Sequence, residues 1–230
     1  MKRLIIATLL ATSMGCSQFN ITSLTQNKEA SDARLGQYTI NMMYATPAGK
    51  KLSAGRKQSL AHSIVRVAND IFDSEDMKRA FVAVIAIESG FQKYAQSPTG
   101  PKGYSQVAKA AFTEGLASCG ITDLNDEDVW DTDLNLYAGA CYFQMLLIKH
   151  NQDPYMSIIA YNQGPNSESI KTFSKSGSLD NKEALKYVAK FAFLNRTVSS
   201  DKQPNSLAIQ KEVTTRAPKK ESSLKKEEAK

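Results

Sequence analysis

Several patterns that would indicate other protein classes are missing from this sequence of 230 residues. Its two histidines and three cysteines do not follow zinc-site spacing, and it contains neither a glycine-rich phosphate loop nor an RNA-binding signature. It also contains no internal repeat. We therefore predict no metal, no cofactor and no nucleic-acid partner. The net charge of +6 is spread along the chain and suits an acidic polymer or an anionic surface.

Long apolar runs are also missing, apart from a short one at the start of the chain. Lys2 and Arg3 precede the apolar residues 4–11, and small residues follow as far as Gly15. A charged start, a short apolar stretch and a small-residue exit are typical of an export signal. Residues 1–15 therefore predict such a signal, which is too short to span a membrane stably.

Cys16, directly after Gly15, resembles the lipidated cysteine in the lipobox of bacterial lipoproteins. This resemblance implies an exported, periplasm-facing protein that a lipid on Cys16 anchors in the outer membrane. Ser13 and Met14 depart from the lipobox, which usually has leucine and a small residue at these positions. The alternative is ordinary cleavage near Ser13 or Gly15, which would release a soluble periplasmic protein.

If Cys16 carries a lipid, two cysteines remain, Cys119 and Cys141. An even number of cysteines in an oxidising compartment suggests a disulfide, which would stabilise the domain by about 3 kcal/mol. The alternative is two buried thiols that pack as small apolar side chains.

The composition divides the rest of the chain into three segments. Residues 16–52 are mostly polar and predict a lipid-anchor site and a flexible tether, whose apolar residues after Gln37 would pack on the domain as an extended arm. Residues 53–196 carry apolar residues at three- and four-residue steps and predict a single, mostly α-helical domain. Residues 197–230 are polar and basic, without aromatics, and predict a disordered, solubilising tail.

Glu88 ends an apolar stripe on a predicted helix. The other members of the stripe are Met77, Phe81, Val84 and Ile85. Burial of a carboxylate costs desolvation energy unless the group is paired or functional, and partial burial favours the protonated form that a general acid needs. The alternative is a structural glutamate that a cation or a backbone N–H group satisfies. The spacing alone leaves both interpretations open.

The segment after Glu88 favours a site with one acid. Its glycines and prolines predict a tight loop with free backbone N–H groups, and they are Gly90, Pro98, Gly100, Pro101 and Gly103. Ser89 and Gln106 add polar groups near the acid. The sequence has no Asp or Glu between Glu88 and Glu114, so the second carboxylate that most glycosidases use is not offered locally.

Residues 86–91 (AIESGF) and 95–106 (AQSPTGPKGYSQ) resemble the core motif of the soluble-type lytic transglycosylases, which have a lysozyme-like fold. This family usually has Leu-Met where the chain has Tyr104-Ser105. We expect Ser105 to replace a large apolar residue that lines the substrate cleft, and Tyr104 to add bulk beside it. The change predicts altered specificity or reduced activity.

Two further motifs agree with this resemblance in order and spacing. Residues 135–143 (NLYAGACYF) look like the family's Asn-x-x-x-Gly-x-x-Tyr-Leu helix, and residues 160–165 (AYNQGP) are similar to its Ala-Tyr-Asn-x-Gly signature. Tyr187-Val188 resembles its closing aromatic pair. The resemblance covers about residues 60–193.

The resemblance implies an enzyme that cleaves the MurNAc-GlcNAc β-1,4 bond of peptidoglycan, with Glu88 as the only acid and base, and leaves 1,6-anhydro ends. The residues that it implies for substrate binding are Ser89, Tyr104, Gln106, Tyr161, Asn162 and Tyr187. Ser89 and Gln106 would position the substrate or Glu88. Tyr161 and Asn162 would shape the environment of the acid and contact the N-acetyl group, although Asn162 could equally serve the helix end.

Two other functions remain open from the sequence. One is a muramidase that hydrolyses the same bond with an aspartate from residues 123–133, and the other is a non-catalytic lipoprotein that binds peptidoglycan. The expected partners are peptidoglycan glycan strands and, through the lipid anchor, a membrane. The same motifs fit two settings, a housekeeping wall-recycling enzyme and an enzyme that opens the wall locally for an envelope-spanning secretion, conjugation or phage apparatus.

Overall fold

The computed structural model describes the backbone of residues 13–198 and the side chains of residues 25–196 and 198. Most of the predicted export signal and nearly all of the predicted C-terminal tail lie outside the described residues, and so does the side chain of Cys16. Within residues 13–198, no helix is both long and apolar enough to cross a membrane.

The described chain is mostly α-helical, which confirms the predicted fold class. The α-helices are α1 (Ser13–Ala45), α2 (Pro47–Lys50), α3 (Ala54–Ile71), α4 (Glu75–Glu88), α5 (Lys109–Ser118), α6 (Thr132–Lys149), α7 (Pro154–Gln163), α8 (Glu168–Ser176) and α9 (Lys182–Val198). A short 3-10 helix, Asp128–Trp130, precedes α6. Along the sequence, the chain divides into two compact units within α6; the first ends at Tyr142 and the second begins at Phe143.

Helix α4 lies at the centre of the first unit, where α1 and α3 pack against it. The sequence predicts one apolar stripe on this helix, but every residue from Ala80 to Ala86 is buried. A helix that is apolar on all sides is typical of a protein core. Glu75 and Asp76 occupy its first turn, where the helix dipole favours negative charge. Glu88 is therefore the last residue of a helix that the core holds on every side.

Helix α1 corrects the predicted boundary of the domain. Its last turns bury Leu35, Tyr38, Met42 and Met43, so the packed domain begins well before residue 53, and the segment predicted as an extended arm is helical. The first half of α1 is mostly polar, and the sequence shows no sustained helical period over this helix. The helix is stabilised mainly by packing against α3 and α4.

The disulfide between Cys119 and Cys141 joins two helices of the first unit. Cys119 caps the C-terminus of α5, and Cys141 is buried on α6, with 6.1 Å between the two Cα atoms. Gly115 lets these helices approach closely, because an added Cβ atom would lie 2.6 Å from the carbonyl oxygen of Ala138. The disulfide and this close contact together hold α5 against α6.

The second unit is built from α7, α8 and α9. Asp153 caps α7 by accepting hydrogen bonds from the N–H groups of Tyr155 (2.8 Å) and Met156 (3.0 Å). The ring of Tyr155 lies edge-on to that of Phe191, with centroids 6.1 Å apart. The sequence predicts α7 and α9 but not α8, because α8 is short and mostly polar.

The burial of Met42 in α1 predicts a large stability effect within the segment that the sequence presents as a tether. Met42→Ala should lower the free energy of unfolding by about 2–4 kcal/mol, because it removes buried apolar volume. Arg34→Ala, at an exposed position of the same helix, should change it by less than about 0.5 kcal/mol. Urea denaturation of both variants measures the difference, and equal stabilities would contradict the packing of α1.

Loss of the disulfide should also destabilise the chain. Its loop spans 22 positions, so the Cys119→Ala/Cys141→Ala double variant should lose about 3 kcal/mol of stability relative to the oxidised protein. Dithiothreitol should lower the urea midpoint of the unaltered chain and leave that of the double variant unchanged. A shift of equal size in both proteins would mean that the reductant acts elsewhere.

Candidate active site

Glu88 occupies the point where the buried helix α4 ends. Its side chain is half-buried, and the helix is capped by the next residue, Ser89, whose backbone N–H donates to the carbonyl oxygen of Ile85. The structure therefore places this carboxyl group at the rim of the core, on the last residue of a capped helix.

Ser89 fixes the turn that follows the acid. Its buried hydroxyl donates to the carbonyl oxygen of Ile85 (3.2 Å) and accepts from the N–H of Phe91 (3.1 Å). Gly90 and Phe91 both have positive φ angles, of 59° and 69°. Such a conformation is costly for phenylalanine, and the Ser89 hydroxyl and the burial of the ring stabilise it. Of the two roles expected for Ser89, this geometry fits the positioning of Glu88.

Thr46 supports the same turn and was not identified from the sequence. It is the N-cap of α2, with its hydroxyl accepting from the N–H of Gly49 (3.1 Å), donating to the carbonyl oxygen of Met43 (3.1 Å) and lying 3.5 Å from that of Gly90. A threonine followed by proline is a recognisable N-cap signal. Its contact with a residue 44 positions away is a tertiary feature that local sequence does not reveal.

Gln106 closes the loop that follows. Its amide Nε2 donates to the carbonyl oxygens of Ala95 and Gly103, each at 2.9 Å, and Gly103 donates its N–H to the same Ala95 oxygen at 2.8 Å. Two isolated β-bridges, from Lys102 to Gln96 and to Val107, complete the loop. Among the described residues, the amide oxygen of Gln106 has no hydrogen-bond partner, so that oxygen is available to a ligand.

Asn135 holds the loop from the side of α6. Its Oδ1 accepts from the N–H of Ser105 (2.9 Å), and its Nδ2 donates to the carbonyl oxygens of Lys102 (3.2 Å) and Val129 (2.9 Å). Its own carbonyl oxygen accepts from the Ser105 hydroxyl at 3.0 Å. Asn135 lies in a segment that the sequence identifies, but its role emerges only from these contacts.

Ser105 does not line a cleft, contrary to expectation. Its exposed fraction is 0%, and both its hydroxyl and its backbone N–H bind Asn135. The turn at Gly103, with a φ of 78°, directs the side chain inward, where serine satisfies a buried carbonyl group that an apolar residue could not. Serine at this position therefore changes how the loop is held against Asn135 and does not change the surface of a cleft.

Tyr104 lies mostly beneath the surface, beside Ser105. Burial raises the pKa of its phenol, while the charge of Arg56 and a hydrogen bond with Thr132 oppose this shift. The phenol is therefore neutral at physiological pH. We expected Tyr104 to add bulk beside Ser105 in the cleft, but only 8% of the residue is exposed, so it adds little to the surface.

Most aspartates of residues 123–133 have structural partners. Asp131 caps α6 by accepting from the N–H groups of Asp133 and Leu134, each at 2.9 Å. Asp126 pairs with Lys109 and Asp133 with Arg66, each at 2.7 Å. Asp128 accepts from the N–H of Asn125 at 2.8 Å. These contacts account for four of the carboxylates that a two-acid mechanism would draw on.

The other predicted substrate-binding residues belong to the second unit. Tyr161 and Asn162 are half-buried in the last turn of α7, which Gly164 caps with a φ of 88°. The ring of Tyr161 lies edge-on to that of Phe143, with centroids 6.2 Å apart. Tyr187, on α9, is buried. Asn162 is therefore inside the helix and Gly164 is the capping residue.

Within the described part of the chain, no group of three or more His, Cys, Asp and Glu side chains could hold a metal ion.

The support of the loop by Asn135 predicts different costs at two glycines. A Cβ atom at Gly103 would collide with the Asn135 side chain, whereas one at Gly100 would meet nothing within 4 Å. Both glycines have positive φ, so both alanine variants share the backbone strain. Gly103→Ala should therefore be about 2 kcal/mol less stable than Gly100→Ala, because it also displaces buried hydrogen bonds. Thermal and urea unfolding test this difference, and equal stabilities would contradict the described contact.

Comparison with known proteins identifies the domain. Residues 72–185 match the family model described as the Transglycosylase SLT domain. None of the curated protein sequences is significantly similar to the chain.

Two solved structures share the fold. One is an inactive glutamate-to-glutamine mutant of the lytic transglycosylase Slt from Pseudomonas aeruginosa, with 19% identity and a TM-score of 0.52 over 65% of this chain and 28% of that one. The other is the 70 kDa soluble lytic transglycosylase from Escherichia coli, with 20% identity and a TM-score of 0.52 over 72% of this chain and 30% of that one. The chain thus spans less than a third of either protein's length. The matched residues, about half of the chain, identify a transglycosylase SLT domain.

Proposed function

We propose that this protein is a peptidoglycan lytic transglycosylase in which Glu88 is the only catalytic acid and base. The observation that carries the proposal is the position of Glu88 at the half-buried end of α4, next to a loop without another carboxylate. The match to the transglycosylase SLT domain gives the reaction class. The inactive neighbour carries the replacement of a single glutamate by glutamine, which agrees with dependence on one acid.

The proposed reaction uses the Glu88 carboxyl group twice. It first donates its proton to the oxygen that links C1 of N-acetylmuramic acid to the neighbouring N-acetylglucosamine, and the C1–O bond breaks. The resulting carboxylate then removes the proton from the C6 hydroxyl of the same muramyl residue while that oxygen bonds to C1. Glu88 ends protonated, no water is consumed, and the product has a 1,6-anhydro ring.

The surroundings of Glu88 suit this cycle. The reaction starts from the neutral acid, and Glu88 lies half-buried at the end of α4. The hydroxyl of Ser89 and the amide of Gln106 fix the backbone on either side of the loop, so the acid needs little reorganisation. The free amide oxygen of Gln106 is a proposed acceptor for a sugar hydroxyl or N-acetyl N–H group.

Hydrolysis by a second acid has less support than this reaction. A muramidase would need a carboxylate that is free to activate water. Caps, hydrogen bonds and ion pairs engage four of the five aspartates in residues 123–133, namely Asp126, Asp128, Asp131 and Asp133. No feature of the described residues favours binding without catalysis.

We propose an exported protein that acts on the glycan strands in the periplasm. Lipidation of Cys16, outer-membrane anchoring and service to an envelope-spanning machinery are parts of this proposal that rest on the sequence alone. Tyr161 and Asn162, on the second unit, are proposed contacts for the N-acetyl group, and Tyr104 and Tyr187 are proposed supports whose burial limits direct contact.

Replacement of Glu88 tests the mechanism. Glu88→Gln keeps the size of the side chain and removes the titratable group, so release of muropeptides from purified peptidoglycan should fall by about a thousandfold or more. Glu114→Gln, an exposed glutamate on α5, should retain the activity of the unaltered protein. Circular dichroism should show equal helix content in all three proteins, which separates loss of chemistry from loss of fold.

Mass spectrometry of the released fragments then identifies the reaction. Products with 1,6-anhydro ends, lighter by one water than reducing ends, agree with the proposed reaction. Reducing ends would instead indicate a muramidase. Full activity of Glu88→Gln would disprove the single-acid mechanism.

A further inference from the structure

An exposed aromatic pair lies beside the loop that Gln106 closes. Tyr94 has an exposed fraction of 72%, and its ring centroid lies 5.8 Å from that of the half-buried Trp130, with 50° between the ring planes. A tyrosine this exposed leaves most of its apolar ring in water, at a cost that a ligand could relieve. Trp130 is the only tryptophan in the sequence.

Two lysines surround this pair. The Nζ of Lys93 lies 5.6 Å from the centroid of Tyr94, and that of Lys102 lies 5.4 Å from the centroid of Trp130. In the part of the chain that the structure describes, neither ammonium group has a carboxylate within ion-pair distance. The nearby Asp126 pairs with Lys109, whose hydrogen bond and charge lower the pKa of this carboxyl, and the charge of Lys102 contributes less to the same shift. The surface is therefore both aromatic and positively charged.

The scaffold of the candidate active site also fixes the position of this surface. The Nδ2 of Asn135 donates to the backbone carbonyl oxygens of Lys102 and Val129, and Val129 is the residue before Trp130. The carbonyl oxygen of Ala95, the residue after Tyr94, accepts from Gln106. Tyr94 and Trp130 are thus each adjacent in sequence to a residue whose carbonyl oxygen accepts one of the hydrogen bonds that hold the loop after Glu88. The surface is continuous with that loop, and the same hydrogen bonds hold its backbone.

We propose that Tyr94, Trp130, Lys93 and Lys102 form a binding subsite for a muramyl residue of the glycan strand. A pyranose ring has apolar C–H faces that pack on aromatic rings, and the stem peptide on muramic acid carries carboxylates that pair with the lysines. The two features of the surface therefore match two features of one ligand. This proposal rests on the proposed function, because it extends the binding of the same strand beyond Glu88.

The single tryptophan allows a direct binding measurement. The titration uses the full chain with Glu88→Gln, so that the ligand stays intact, and a soluble muramyl tetrasaccharide with stem peptides as the probe. The fluorescence of Trp130 should change on binding. Tyr94→Ala should weaken the affinity about tenfold, and Lys102→Gln should weaken it by about fivefold. Chitotetraose, a neutral saccharide, should lose affinity with Tyr94→Ala and keep it with Lys102→Gln.

Sedimentation with purified peptidoglycan completes the test, because it does not require Trp130. Trp130→Ala should bind the polymer about tenfold more weakly. Phe193→Ala, an exposed aromatic of the second unit, should bind like the parent. Unchanged binding by both Tyr94→Ala and Trp130→Ala would overturn the subsite. Sedimentation with anionic phospholipid vesicles is run in parallel. Variants that lose binding to the vesicles alone, and keep binding to peptidoglycan, would also overturn it. Both assays measure binding alone, so a failure of the single-acid mechanism would be distinguished from a failure of the subsite.

Discussion

Buried backbone N–H and C=O groups must find hydrogen-bond partners. In the loop after Glu88, the side chain of Asn135 is the partner of several such groups. Its side chain satisfies the N–H of Ser105 and the carbonyl groups of Lys102 and Val129. These three groups belong to two segments that the chain itself does not bring together. Without this amide, the loop would need water or a different path, and the positions of Gln106 and Trp130 would no longer be fixed.

A second constraint acts from within the core. Because α4 is buried on all sides, the position of its last residue is determined by packing against α1 and α3. The side chains of Ser89 and Thr46 then set the direction of the chain beyond Glu88. The candidate acid is thus held by two independent sets of contacts, one apolar and one hydrogen-bonded. Such support is what a group that must reach a scissile bond with little movement requires.

Local patterns were sufficient to predict much of this fold. Apolar spacing gives α3 and α4, and the pair Gly164-Pro165 gives the end of α7. The helical nature of α1 was missed because its stability depends on partners far away in sequence. The buried role of Ser105 was missed for a related reason, since an inward-facing serine is explained only by the carbonyl group of Asn135. Single-residue roles in the loop are set by tertiary contacts that spacing does not encode.

The bond between Cys119 and Cys141 also bears on when the chain matures. Thiols stay reduced in the bacterial cytoplasm and oxidise after export. If the chain is exported as proposed, α5 is held to α6 only by packing while the chain is still inside the cell. Biogenesis would then proceed in two stages. The reduced precursor would unfold more easily for translocation, and the disulfide would form after export. The disulfide would thereby restrict the most durable form of a wall-cleaving enzyme to the compartment that contains its substrate.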